Sequence, residues 1–119
     1  MSKLIVAVLV IVAFGVQAQT YDSLPNAPEY YNQRSAKFRK EKTSTSNPVL
    51  FLGNSITEGG NWRRMLKDSS VLNRGISGDV TFGVMKRLDE VTRHKPSKIF
   101  LLIGVNDLSR NTPNAVIIQ

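Results

Sequence analysis

The sequence predicts an α/β domain built on a parallel sheet, and three observations lead there. Three short apolar runs, "VLFL" (Val49–Leu52), "VLNRG" (Val71–Gly75) and "KIFLLIG" (Lys98–Gly104), are separated by stretches of helical spacing or composition. Strands that alternate with helices pair in parallel through crossover connections. The 119 residues suit one small domain, and with no cysteine that domain relies on its core rather than on disulfides.

Taken in chain order, "LIVAVLVIVAFGV" (Leu4–Val16) is an apolar run of 13 residues behind Met1-Ser2-Lys3. A spanning helix needs about 20. A charged start, a short apolar middle and the small-residue exit at Val16-Gln17-Ala18 read as a secretory signal peptide over residues 1–18, cleaved after Ala18. The expectation is a secreted or periplasmic protein with no stable membrane anchor. Residues 19–47 form a leader rich in Pro, Asn and Tyr, then a helix over Glu29–Lys42 with an inward stripe of Tyr31, the Arg34 stem and Phe38. "TSTSNP" (Thr43–Pro48) is loop chemistry.

Val49–Leu52 reads as a strand buried on both faces. Asn61 is placed to cap a short helix turning Trp62, Met65 and Leu66 inward. From Val80, apolar residues at 80, 84, 88 and 91 follow helical spacing, with Lys86, Arg87, Asp89, Glu90 and Arg93 on the outer face and Asp79 at the N-cap. His94-Lys95-Pro96 ends that helix. Lys98–Gly104 is the third and most apolar strand. Thr112-Pro113 opens a helix that "NAVIIQ" leaves less than two turns long, so the reading is a polypeptide truncated after its third strand, with an open apolar edge.

The formal charge of +7 permits attraction to anionic partners without choosing among them. The densest basic run, Arg34–Lys42, reads as a solvated helix face. It carries no nucleic-acid motif, and a secretion signal argues against such a partner. A P-loop is excluded because Glu58 stands where the second glycine belongs and the lysine is missing. The G-x-S-x-G elbow fails at Thr57, no G-x-G-x-x-G follows a strand, and one histidine without cysteine makes no metal cluster. No cofactor is expected.

Ligands of parallel sheets bind beyond the carboxyl ends of the strands. Ser55, Gly78 and Asn106 each follow a predicted strand end. Gly53 permits a sharp exit that presents Ser55, Gly78 offers a main-chain N–H with no side chain in the way, and Asn106 offers a carboxamide donor. A hydroxyl with such donors suits a serine nucleophile and an oxyanion hole.

"FLGNSIT", "NRGISGD" and "LIGVND" resemble, in order and spacing, the first three sequence blocks of the SGNH hydrolases, also called GDSL-type esterases and lipases. The likeness is to the secreted bacterial platelet-activating-factor acetylhydrolase-like and sialate O-acetylesterase-like branches, and it covers roughly Val49–Pro113. It implies a flavodoxin-like three-layer α/β/α fold with a parallel sheet, of which residues 48–119 are the N-terminal portion. It also implies a serine esterase without cofactor, acting on a small-molecule or glycan ester, with an acetyl ester of a carbohydrate or lipid expected. By the resemblance, Ser55 is the nucleophile, and its own N–H, the Gly78 N–H and the Asn106 side chain form the oxyanion hole. Asn54 stands where the family has Asp, keeping the acceptor oxygen and losing the charge. Trp62 belongs either to the pocket or to the core. Asp79 is read as a cap and Asp107 as ordering its own loop.

The family's base comes from a later Asp-x-x-His block that these 119 residues do not contain. His94 is read as an exposed helix end on the opposite rim, about 21 Å along its helix from the Gly78 end. The expectation is therefore an esterase as the parent protein, with this fragment inactive or weakly active. The alternative is a non-catalytic module that binds an ester or glycan.

Overall fold

The computed structural model describes residues 28–43 and 45–118. The expected signal peptide and the leader up to residue 27 lie outside the described residues. Three parallel strands, β1 (Val49–Gly53), β2 (Leu72–Gly75) and β3 (Lys98–Leu102), form one sheet in the order β2-β1-β3. Helix α1 (Glu29–Lys40) precedes them. The short helices α2 (Ser55–Gly59) and α3 (Trp62–Leu66) follow β1, α4 (Thr81–Met85) and α5 (Leu88–Thr92) follow β2, and α6 (Val105–Ser109) and α7 (Asn114–Ile117) follow β3. The predicted α/β class with a parallel sheet is the one observed.

The core lies mainly on one face of β1. Leu50 and Leu52 alternate into it and meet Leu72, Val84 and Val91, with Leu88 and Ile103 alongside. The other face is thinner than a strand buried on both sides requires. Val49 and Phe51 are only half-buried. Phe51 is sandwiched there by Trp62 (centroids 4.4 Å apart) and Phe100 (4.9 Å). Every residue of β3 is exposed, because no further strand or helix covers it among the described residues.

Helix α1 buries Tyr31 and Phe38 against Ile76, and Arg34 is half-buried, as its stripe predicts. It ends two residues early, at Lys40, where Arg93 donates to the carbonyls of Phe38 (2.6 Å), Arg39 (3.0 Å) and Glu41 (3.1 Å). A cation there satisfies carbonyls that the helix leaves unpaired.

Three expectations fail, each for a physical reason. Met65 and Leu66 are exposed, 67% and 51%, while it is Trp62 of their helix that stacks on the sheet residue Phe51. The helix expected from Val80 is broken at Arg87 (φ −120°, ψ 17°) into α4 and α5. Arg87 and Glu90, assigned to its outer face, are instead buried to 1% and 2% exposure. Arg87 donates to Asp79 (2.8 and 3.1 Å), to the Arg74 carbonyl (2.8 Å) and to the Gly53 carbonyl (3.2 Å). Glu90 accepts from Arg74 Nε at 3.1 Å.

Periodicity assigns charged residues outward, but a fully hydrogen-bonded guanidinium can stay inside. Burial pushes the Asp79 carboxyl above its ordinary value against the pull of Arg87. Desolvation is thus a real cost of this pair, and breaking it leaves an uncompensated charge. Arg87→Met is expected to lose about 3–5 kcal/mol of stability in urea unfolding. Arg64→Ala, on the exposed face of α3, should stay within about 0.5 kcal/mol.

Candidate functional site

Sheet register sets the three strand ends level: Gly53 pairs with Gly75 on one side and with Leu102 on the other. The loops that leave these ends carry Ser55, Gly78 and Asn106. Gly53 is needed for space rather than for an unusual backbone angle. A Cβ there would stand 2.3 Å from the Leu102 carbonyl oxygen and 2.4 Å from Thr57 Oγ1. Its absence lets α2 start directly over the sheet.

Ser55 is the first residue of α2, exposed, and its hydroxyl engages no other described residue. Its N–H belongs to the helix start, where no intrahelical acceptor exists. Asn54 is fully buried and caps α2, its Oδ1 accepting from the Ile56 N–H at 3.0 Å. Its Nδ2 has no partner among the described residues.

Gly78 adopts φ +79°, a left-handed conformation that favours glycine. Its carbonyl accepts from Arg110 at 2.9 Å, and its N–H has no acceptor among the described residues. Asn106, half-buried in the first turn of α6, donates from Nδ2 to the Asp79 carbonyl at 2.8 Å. A carboxamide has two N–H donors. One therefore pins the third loop to the second, and the other makes no hydrogen bond among the described residues.

Asp79 and Asp107 take roles other than those expected. Asp79 is no side-chain cap of α4; it is the buried partner of Arg87, and its Oδ1 accepts the Val80 N–H at 3.0 Å. The cap comes from the next loop. Buried Asp107 accepts the Thr81 N–H (3.0 Å) and the Thr81 hydroxyl (3.1 Å), joining the third loop to the second again. The acceptor that α4 needs is thus supplied across space, which sequence spacing does not reveal.

Glu58 was not singled out by the sequence. It sits one turn beyond Ser55 and accepts from the Ser77 N–H (2.7 Å), the Ser77 hydroxyl (2.6 Å) and the Tyr30 hydroxyl, with Arg34 Nε at 3.1 Å. One carboxylate thereby joins α1, α2 and the loop of Gly78. A lone acid between a serine-bearing turn and a basic helix was the available signal. Burial pushes its carboxyl up, but the Ser77 and Tyr30 hydrogen bonds and the Arg34 charge outweigh that and hold it below the ordinary value.

Trp62 is not at this rim. It stacks on Phe51, donates to the Thr57 carbonyl at 2.7 Å, and lines a separate cleft of about 280 Å³ with Arg34, Phe38, Arg63 and Arg74. His94 is at the other end of the sheet, where Ser97, three residues on, donates to the Pro48 carbonyl just before β1. It is not the exposed residue expected. Its side chain is 5% exposed and lies 2.8 Å from Glu90 Oε1 and 3.3 Å from Thr43 Oγ1. The buried carboxylate of Glu90 draws it in.

The sheet thus carries an exposed serine, a glycine N–H with no acceptor among the described residues and an asparagine carboxamide on consecutive strand-end loops, beyond the carboxyl ends where parallel sheets bind ligands. Residues 51–119 match the model of the GDSL-like lipase/acylhydrolase family, and the chain belongs to that family. It is similar to a solved structure from Streptococcus pneumonia, provisionally described as a platelet activating factor. The two share 30% identity and a TM-score of 0.61 over 71% of this chain and 41% of that one. A second solved structure, a provisionally assigned acylhydrolase from Bacteroides fragilis, shares 27% identity over 76% of this chain and 44% of that one, with a TM-score of 0.49. The chain thus spans less than half the length of these two. No curated protein matches it.

Because the folded value of Glu58 is depressed, its contribution to stability is present above the unfolded carboxyl value and is lost as pH falls through the folded one. Glu58→Gln should flatten the acid limb of the stability profile, read by thermal melts between pH 7 and the acid transition.

Proposed function

We propose that the chain carries the nucleophile and oxyanion-binding part of a serine ester hydrolase. The observation that carries this reading is the junction of the Gly78 and Asn106 loops, through the Asn106–Asp79 hydrogen bond, beside the level strand end that presents Ser55. Membership of an acylhydrolase family supports the reaction class.

In this reading Ser55 Oγ attacks the ester carbonyl carbon. The carbonyl oxygen becomes an oxyanion that accepts from the Ser55 and Gly78 N–H groups and from the free N–H of the Asn106 carboxamide. Collapse of the tetrahedral intermediate breaks the carbon–oxygen bond to the alcohol, which leaves with a proton. Water then hydrolyses the acyl-Ser55 ester. Preset donors of this kind contribute without reorganising during the reaction. The mechanism needs a base for the Ser55 proton. His94 does not serve, held at the far end of the sheet by Glu90 and Thr43. The base is assigned to an Asp-x-x-His block outside these 119 residues. An acetyl ester of a carbohydrate or lipid is the proposed substrate, and a secreted or periplasmic location is proposed with it.

Hydrolysis of a small acetyl ester by the full reading frame tests this. Ser55→Ala is expected to abolish turnover, and Asn106→Ala to lower kcat by about 10²–10³-fold. Hydrolysis unaffected by Ser55→Ala would remove the nucleophile from the scheme, and saturable ester binding without turnover would establish a binding module instead.

A further inference from the structure

Arg110 stands beside Gly78 with most of its guanidinium unused. Its backbone N–H is tied to the carbonyls of Asn106 and Asp107, each at 3.2 Å, which fixes its place at the end of α6. One terminal nitrogen donates to the Gly78 carbonyl at 2.9 Å. A guanidinium carries five N–H donors. Its side chain is exposed, and no carboxylate pairs with it among the described residues.

The other charged groups around these loops are engaged. Asp79 holds Arg87 at 2.8 Å, Glu58 holds Arg34 at 3.1 Å, and Asp107 is buried against Thr81. Arg110, at the end of α6, therefore presents the free N–H donors of an exposed cation against the loop that offers the Gly78 N–H. It also borders a small depression lined by Pro28, Tyr31, Ser77, Gly78, Asp79 and Val80.

We infer that Arg110 reads an anionic oxygen group, a carboxylate or a phosphate, that the ester substrate carries near its scissile carbonyl; this rests on the proposed role of the Gly78 N–H. The N–H and carbonyl of one residue are separated by about 3.6 Å or less. A carbonyl oxygen seated on the first thus lies within about 9 Å of the guanidinium seated on the second. The planar fork of arginine matches the paired oxygens of a carboxylate or phosphate. The net charge of +7 adds longer-range attraction for such a substrate. The substrate class is an acylated alcohol that also bears an acid group, rather than a neutral ester.

Amide shifts followed during titration with inorganic phosphate, and separately with acetate, test this without needing turnover. Gly78 and Asp79 are expected to move saturably in the wild type, in Ser55→Ala and in Arg64→Gln, which removes the same charge away from the rim. In Arg110→Gln the midpoint should weaken at least tenfold. The anion that gives the lower wild-type midpoint identifies the group. An unchanged midpoint in Arg110→Gln, or an equal loss in Arg64→Gln, overturns the inference. If the Gln variant loses its folded dispersion, Arg110→Lys replaces it. Lysine keeps the charge without the fork, so a threefold or greater weakening is expected and an unchanged midpoint overturns paired recognition. Hydrolysis that depends on Ser55, beside an anion response indifferent to Arg110, defeats this inference alone. An Arg110-dependent response, beside hydrolysis indifferent to Ser55, defeats the esterase reading alone.

Discussion

The guanidinium of Arg87 is the fastening on which the rest of the structure depends. Its four hydrogen bonds reach the last residue of β1, a residue of β2, and the aspartate that follows Gly78. The end of β1 is where Ser55 departs, and Asp79 carries the carbonyl that Asn106 grips. One buried side chain thereby sets the spacing between two loops and, through Asp79, the position of the third. The break between α4 and α5 falls at this same residue. A buried ion pair is a weak source of net stability, but its directional bonds suit the fixing of positions.

A second charged group surrounds it. The Phe38 ring lies within 4.6 to 6.0 Å of the guanidinium carbons of Arg74, Arg34 and Arg87. Arg74 is neutralised by Glu90 and Glu41, and Arg34 by Glu58. The aromatic face attracts the cations while the carboxylates hold their edges. Helix α1 is therefore not a cover laid over a finished domain. Through Tyr30, Arg34 and Phe38 it takes part in the network that leads to Glu58, Ser77 and the Gly78 loop. Pre-organisation of such loops matters, because donors aimed in advance need not be rearranged when charge develops.

The strand-end loops were legible in the sequence because their chemistry is local. Glycine, asparagine and serine at the end of an apolar run report a turn and a set of small donors wherever they occur. The strands were legible for the same reason, with three apolar runs among polar connections. Arg87 and Glu90 were not, because helical spacing counts a charge as outward, and only the fold shows that each has a partner of opposite sign waiting inside. The exchange between Asp79 and Asp107 was hidden likewise. Both stand near loop starts, and nothing in their spacing says which caps a helix and which meets a guanidinium from the chain beyond. Met65 and Leu66 failed in the opposite sense: apolar residues at helical spacing found no layer to enter.

Among the described residues no strand or helix covers the margin of β3. Ile99, Phe100, Leu101 and Leu102 are each about half exposed, and Lys98 is the one charge in the strand to deter a neighbour. An uncovered, apolar strand edge is a template for another backbone. Meeting between two such edges is second order in concentration, whereas the folding of one chain is first order. Dilution therefore favours the solitary molecule, and crowding in a refolding vessel works against it.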